Sequence, residues 1–210
     1  MKENLIARAT LGRLPLYLQY LQTLPANSCV NISATTIAKE LGLGEVQVRK
    51  DLGSVIGTGK PKIGYVTKDI ISKLEKVLGT NDKKYAILVG AGKLGRALFE
   101  YKGFEDYGLE ITAAFDNDET KWSDTLSGKE IYPTDKLVEY CIEHNVKIGI
   151  IAVPESAAQA VCDMMLTAGI TAIWNFAPIS PIVPEGVLLQ QENLALSLAH
   201  LKIQMLNSDK

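Results

Sequence analysis

The chain has 210 residues, of which 47% are hydrophobic and 22% charged, a composition that fits a soluble globular protein of one large domain or two modest ones. No apolar run approaches the roughly 20 residues needed to cross a bilayer, and the N-terminus lacks the basic start, apolar stretch and cleavage site of a signal peptide, so the expected location is the cytoplasm. The net charge of −2 hides an asymmetry: residues 1–78 carry 11 Lys and Arg against 6 Asp and Glu, and residues 79–210 carry 11 against 18.

A basic first segment suits a phosphate backbone, because each neutralised phosphate releases counterions; the acidic remainder gives nucleic acid no such reason to bind. Cys29, Cys141 and Cys162 are odd in number, far apart and in no CxxC pair, which suggests neither a disulfide framework nor a zinc site. They read as small buried hydrophobes.

In chain order, residues 11–24 place Leu14, Tyr17, Leu18 and Leu21 at helical spacing, with Pro15 near the start, where proline is tolerated. Ser33 then caps a short helix whose inner face is Ile37, Ala38 and Leu41, and Gly42 ends it. After a tight turn, EVQVRKDLGSV repeats Val48, Leu52 and Val55 on one face and turns Gln47, Arg49, Lys50 and Ser54 outward. Two short helices joined by a glycine-containing turn, the second polar and basic, are the outline of a helix-turn-helix.

The following IGTGKPKIGYV, with Lys60 and Lys62 among its glycines, reads as a β-hairpin wing; a flexible linker is the alternative. A helix spans 69–78, and the polar GTNDKK at 79–84 reads as an interdomain linker.

From residue 85 the rhythm is strand and helix: YAILVG, KLGRALFEY, LEITAAFD, KIGIIAV, a helix over about 155–168, and AIWNF. Nearly continuous apolar strands alternating with helices indicate a parallel sheet covered on both faces. The expected fold is therefore α/β, a winged helix-turn-helix domain (1–78) followed by a doubly wound Rossmann domain (85–192).

The first of these strands runs into Gly90-Ala91-Gly92-Lys93-Leu94-Gly95, a G-x-G-x-x-G at the start of a helix, a pattern that brings a pyrophosphate onto backbone N–H groups. The next strand ends at Asp116, 21 residues after Gly95, where an acid binds the adenosine ribose hydroxyls. Asn117, Asp118 and Glu119 offer no Arg or Lys to a 2′-phosphate, so the expected cofactor is NAD(H). Val153 and Pro154, with Ala152, end one later strand, and Phe176, Ala177 and Pro178 another. These would line the nicotinamide side of the crevice, or serve as plain loop packing.

A dehydrogenase needs an acid or base at the substrate carbonyl. His144, in a polar helix end, and His200, in the last helix, do not belong near the nicotinamide, so the cofactor reads as a signal and no catalytic or metal-binding residues are assigned. The competing readings are a small NAD-dependent oxidoreductase with an N-terminal dimerisation domain, and a CoA-binding Rossmann protein, which Asp116 disfavours. Residues 193–210 include LALSLAHLKIQML, a helix apolar around most of its circumference. At the end of a compact domain its cover is a second subunit.

Over essentially the whole chain, this order of parts resembles the Rex family of redox-sensing transcriptional repressors. The likeness is carried by QVRKDL at 47–52, Gly59, Lys60, Gly64 and Tyr65 in the wing, GAGKLG at 90–95, YKGF at 101–104, AVP at 152–154 and NFAP at 175–178. The resemblance implies a homodimer with swapped C-terminal helices that binds pseudo-palindromic operator DNA when NADH is scarce and releases it when NADH binds. It also implies a switch in which an acid starting the last helix either pairs with an arginine of the first helix or lies near Tyr101. Here Gln19 and Asn193 occupy those two positions, while Pro61, Lys62 and Gly53 replace the usual Arg, Gly and Ser.

Overall fold

The computed structural model describes residues 6–25, 30–80, 82–122, 125–126 and 128–208; Cys29, and Asn81 of the expected linker, lie outside them. The chain divides into two compact units, Met1–Asp82 and Lys83–Lys210. Among the described residues, no helix is long and apolar enough to cross a membrane.

In the first unit, α1 (Arg8–Leu11) leads into α2 (Leu14–Thr23), followed by β1 (Asn31–Ile32), α3 (Ala34–Leu41), α4 (Glu45–Val55), β2 (Tyr65–Val66) and α5 (Thr67–Leu78). Pro15 falls in the first turn of α2, where its missing N–H breaks no helical hydrogen bond. Ser33 Oγ accepts the Thr36 N–H at 3.0 Å, and Gly42 closes α3 with φ +65°. The core is Leu14, Tyr17, Leu18 and Leu21 of α2, Ile37 of α3, Val48 and Leu52 of α4, and Ile70 and Leu74 of α5. Leu41 and Val55 pack against it partly buried.

Helical periodicity also places Asp51, three residues after Val48, on the inner face of α4, and its carboxylate is 1% exposed. Oδ2 accepts from Tyr17 Oη and Arg13 Nε, each at 2.7 Å. Oδ1 accepts from Thr10 Oγ1 and Arg13 Nη2 at 2.9 Å and from Gln47 Nε2 at 3.1 Å. Burial alone would raise the Asp51 pKa, but the bonds from Arg13, Tyr17, Thr10 and Gln47 together outweigh it and hold the group at about 2. Burial, with Asp51 as hydrogen-bond partner, pushes the Tyr17 phenol up to about 12.

The wing differs from a free-standing hairpin. Tyr65–Val66 pairs antiparallel with Asn31–Ile32, so the strand is anchored to the segment before α3, and residues 57–64 contribute one bridge, Lys60↔Gly64. The Ile63 and Gly64 N–H groups both donate to the Lys60 carbonyl, with Pro61 and Lys62 between them and Lys62 at φ +64°. That is the residue pattern of a type II turn, whose third position favours glycine. A side chain in this left-handed region costs roughly 1–2 kcal/mol.

The second unit runs β3 (Lys84–Val89), α6 (Lys93–Glu100), a 3-10 turn (Lys102–Tyr107), β4 (Leu109–Asp116), a second 3-10 turn (Glu119–Lys121), β5 (Thr125–Leu126) and β6 (Lys129–Pro133). A third 3-10 turn (Thr134–Lys136) precedes α7 (Leu137–Glu143), β7 (Ile148–Ile151), α8 (Glu155–Thr167), β8 (Ala172–Asn175), β9 (Leu188–Gln191) and α9 (Leu194–Ser208).

The sheet order is β5-β6-β4-β3-β7-β8-β9, with β5 antiparallel to β6 and every other neighbour parallel. The six parallel strands follow the doubly wound order, and the direction of winding reverses between β3 and β7. The carboxyl ends of those two strands therefore flank a crevice.

The apolar run of β3 is explained by burial on both faces: Ala86 and Leu88 enter one core layer, Ile87 and Val89 the other. Cys141 and Cys162 are buried in the second layer, and burial pushes the Cys141 thiol up to about 11. Neither is poised as a thiolate.

The Asp51 cluster predicts a stability difference that depends on pH. The folded-state pKa lies below the ordinary 3.8, so the contribution is present above about pH 4 and lost as pH falls towards 2, amounting to about 2 kcal/mol. Denaturant unfolding of Asp51→Asn should show a deficit of that size at pH 6 that vanishes near pH 2. A deficit independent of pH would mean that the charge of Asp51 is not what the cluster holds.

Candidate functional site

The Gly90–Gly95 loop connects β3 to α6, and its three glycines meet three different surroundings. Gly90 has φ +102°, and a Cβ there would lie 2.5 Å from the Ala152 carbonyl oxygen; the ends of β3 and β7 thus touch. A Cβ on Gly95 would fall 1.8 Å from the Gly90 carbonyl oxygen, so α6 packs directly on the loop. A Cβ on Gly92 would meet nothing within 4 Å. Gly92 is also the N-cap of α6 and no side chain caps that helix, which leaves first-turn N–H groups and the positive dipole end for an anion.

A cleft of about 560 Å³ opens there, lined by Gly90, Gly92, Asp116, Lys121, Val153 and Pro154, with Asp118, Thr134 and Met164 among its other walls. Ala91, Lys93, Leu94 and Gly95 do not line it, nor do Phe176, Ala177 and Pro178. The residues that do are a glycine cradle, an acid at the end of the second strand and an apolar wall, the elements a dinucleotide needs. Among the described residues, no cluster of His, Cys, Asp or Glu is placed to hold a metal.

Asp116 is 5% exposed. Its Oδ2 accepts the Ala91 N–H at 2.7 Å and Lys121 Nζ at 3.0 Å, and its Oδ1 accepts the Asp118 N–H at 2.9 Å. Asn117, Asp118 and Glu119 carry no cation, but the 3-10 turn at 119–121 folds Lys121 back onto Asp116, so a cation does stand beside this acid. Burial opposes the Lys121 charge, but Asp116 and Asp118 outweigh it and raise the ammonium pKa. Hydrogen bonds from the Thr120 hydroxyl and N–H hold Asp118 below its usual value.

The NFAP loop is built on Asn175, which is fully buried. Its amide donates to the Ile179 carbonyl and to Gln191 Oε1, each at 2.6 Å, and its Oδ1 accepts the Ala177 N–H at 3.1 Å. Phe176 packs tilted on Trp174 with ring centroids 4.5 Å apart. Trp174 meets Phe104 edge-on at 5.7 Å, and Phe104 meets Tyr101 at 5.0 Å. The Trp174 indole N–H donates to Glu192 Oε1 at 2.9 Å, immediately before Asn193. Tyr101 and the loop after β8 are thereby joined, through one aromatic path, to the residues that start α9. Asn193 itself caps α9, its Oδ1 accepting the Leu196 N–H at 2.9 Å.

In the first unit, Gln47, Arg49, Lys50, Ser54, Lys60 and Lys62 are all exposed, as is Gln19 on α2. Arg49, Lys60 and Lys62 share a groove of about 460 Å³ with Ser33 and Thr35 at the start of α3; Gln47, Lys50 and Ser54 do not line it. Arg49 pairs with Glu45 one turn earlier, the Gln47 amide is engaged by Asp51, and the Ser54 hydroxyl donates to the Asp51 carbonyl at 2.7 Å.

Residues 80–179 match the family described as CoA binding domain, and residues 5–53 the family described as putative DNA-binding protein N-terminus. The redox-sensing transcriptional repressor Rex of Pelotomaculum thermopropionicum is 41% identical over 100% of this chain and 98% of its own length. That of Treponema denticola is 41% identical over 97% of each. A crystal structure of RSP with β-NAD+ and operator DNA superposes with a TM-score of 0.89 at 30% identity, covering 99% of this chain and 95% of that one. RSP with β-NADH gives 0.82 at 29% identity, covering 99% and 97%.

The three glycines separate experimentally. Gly95→Ala should lower stability by about 3 kcal/mol, because backbone must move to admit the methyl group. Gly92→Ala should change stability by less than about 1 kcal/mol yet weaken dinucleotide binding at least tenfold, read by calorimetry and thermal unfolding. Equal stability losses in the two variants would contradict these different surroundings.

Proposed function

This chain belongs to the Rex family of redox-sensing transcriptional repressors, and from that membership we propose that it represses transcription as a homodimer on operator DNA and is released by NADH. It is a regulator and not an enzyme. The observation that carries the cofactor reading is the cleft in which the open face of Gly92, Asp116 and the apolar Val153–Pro154 edge converge. The match to a CoA-binding domain reflects the same winding of strands; a carboxylate at the end of β4 suits a ribose diol, which CoA does not present there.

In this reading residues 1–78 form the winged-helix domain, 79–84 the linker, 85–192 the cofactor domain and 193–210 the dimerisation helix. First-turn N–H groups after Gly92 take the pyrophosphate, with Ala91, Lys93, Leu94 and Gly95 shaping the turn that presents them. Asp116 takes the adenosine ribose, while Val153 and Pro154 exclude water from the nicotinamide; the cleft does not support the same role for Phe176, Ala177 and Pro178, which do not line it. The dinucleotide supplies no reaction, only a ring whose charge reports redox state. An apolar enclosure must desolvate the cationic ring of NAD+ but not the neutral ring of NADH, which favours the reduced form.

Arg49 reads a base edge, Gln47, Lys50 and Ser54 support it along α4, and Lys60 and Lys62 anchor phosphates from the wing. The dimer is supported by α9, where Leu194, Leu198, Leu201 and Met205 are 54–69% exposed in the single chain. So much apolar surface on one helix calls for a partner. A chain that must meet chromosomal DNA works in the cytoplasm.

A DNA mobility-shift titration tests the function. NADH should release the operator duplex at concentrations where NAD+ does not, and retention of the complex at saturating NADH would overturn the proposal. Within the interface, Arg49→Ala should cost roughly 1–3 kcal/mol and relax specificity, whereas Lys50→Ala or Lys62→Ala should weaken all sequences and flatten the salt slope by about one unit.

Gln19 and Asn193 replace an ionic latch with neutral amides, whose hydrogen bonds contribute roughly 0.5–1.5 kcal/mol against about 1.5–3 for a charged pair. Asp at 193 keeps the cap of α9, because both residues serve as N-caps. Gln19→Arg combined with Asn193→Asp should therefore strengthen the NADH response, and neither change alone should do so. An unaltered response in the double variant would exclude a latch at these positions.

A further inference from the structure

We propose that Lys121 sets how strongly the cleft discriminates between NADH and NADPH. This rests on the cofactor reading above and adds to it a residue that acts only at the adenosine end. Three ionised groups meet at that wall of the cleft: Asp116, Asp118 and Lys121 all line it. Lys121 Nζ lies 3.0 Å from Asp116 Oδ2 and 3.5 Å from Asp118 Oδ2.

An acid at the end of the second strand normally discriminates in two ways, by accepting ribose hydroxyls and by repelling a 2′-phosphate. Here the Oδ2 atom of that acid is already engaged by Ala91 N–H and Lys121, and the cation beside it cancels part of the repulsion. Two carboxylates and one ammonium leave a local charge of −1, where removal of the lysine would leave −2.

Lys121 is bound to its two acids but not sealed in, with 28% of its side chain exposed, and an ammonium is a strong partner for a phosphate. It can thus move from Asp116 to a 2′-phosphate without crossing a packed core. For NADH there is no such phosphate to meet. Loss of the lysine then frees one acceptor position on Asp116 while the Ala91 and Asp118 N–H groups keep the carboxylate in place.

Both consequences of removing the charge act against NADPH: the phosphate loses a cation and faces a stronger negative field. The preference for NADH should therefore widen. At the other acid, Asp118→Asn removes one repelling charge and should narrow it.

The test is direct calorimetric titration of NADH and NADPH into the natural full-length protein and into Lys121→Met, Lys121→Arg and Asp118→Asn, at low and high salt. In Lys121→Met, NADPH should weaken about tenfold while NADH changes less than about threefold, and the difference should shrink at high salt. Lys121→Arg should retain NADPH binding, and Asp118→Asn should strengthen it a few-fold. An NADPH-to-NADH ratio in Lys121→Met within twofold of the natural protein, with NADH binding intact, overturns the role of Lys121 alone. If the natural protein binds neither dinucleotide, the cofactor reading fails and this inference with it.

Discussion

A carboxylate withdrawn from water costs several kcal/mol unless donors surround it, and each unit of this chain is arranged to meet that demand at one aspartate. Around Asp51 the donors come from Thr10 of α1, Arg13 between the first two helices, Tyr17 of α2 and Gln47 of α4. Satisfying one buried acid therefore sets where α4 lies against the helices before it. A hydrophobic contact at the same place would hold α4 with similar energy but would let it slide or rotate. The fan of five hydrogen bonds to two oxygen atoms does not. Around Asp116 the donors are the backbone of the glycine loop, the backbone of Asp118 and the side chain of Lys121, so the same requirement holds the glycine loop after β3 against the end of β4.

The legible and illegible parts of the fold divide along physical lines. β3, β4, β7 and β8 showed in the sequence because strands buried on both faces must be almost wholly apolar, and the glycine loop showed because close backbone approach admits no other residue at Gly95. β6 and β9 escaped because they lie further out in the sheet: Lys129–Pro133 and Leu188–Gln191 are half-exposed and mix polar with apolar residues. The wing was read as a hairpin from its composition, but pairing with Asn31–Ile32 lies more than thirty residues away in sequence, and composition carries no information on partners.

Asp51 was missed, although the helical pattern carried a signal for it. It stands between Val48 and Leu52 on the inward side of a regular helix, and an acid there demands a donor such as Arg13. For Lys121 there was no such signal, since its approach to Asp116 depends on a turn that doubles back over five residues. Nor was there one for the bond from Trp174 to Glu192, which joins two ends of adjacent strands across a loop of a dozen residues.

The two units have different partners, and repression that responds to redox state requires the binding of one to alter the binding of the other. The aromatic path from Tyr101 through Phe104 and Trp174 to Phe176, with Trp174 held to Glu192, offers contacts that join the loop after β8 to the start of α9. Contacts alone do not make a coupling; a difference in binding free energy does. Because such a coupling is reciprocal, the measurement that tests the account most directly is a calorimetric titration of NADH into the protein with and without saturating operator duplex. The account predicts that operator weakens NADH binding by the same factor by which NADH weakens operator binding. Identical NADH affinity in the presence and absence of DNA would contradict it.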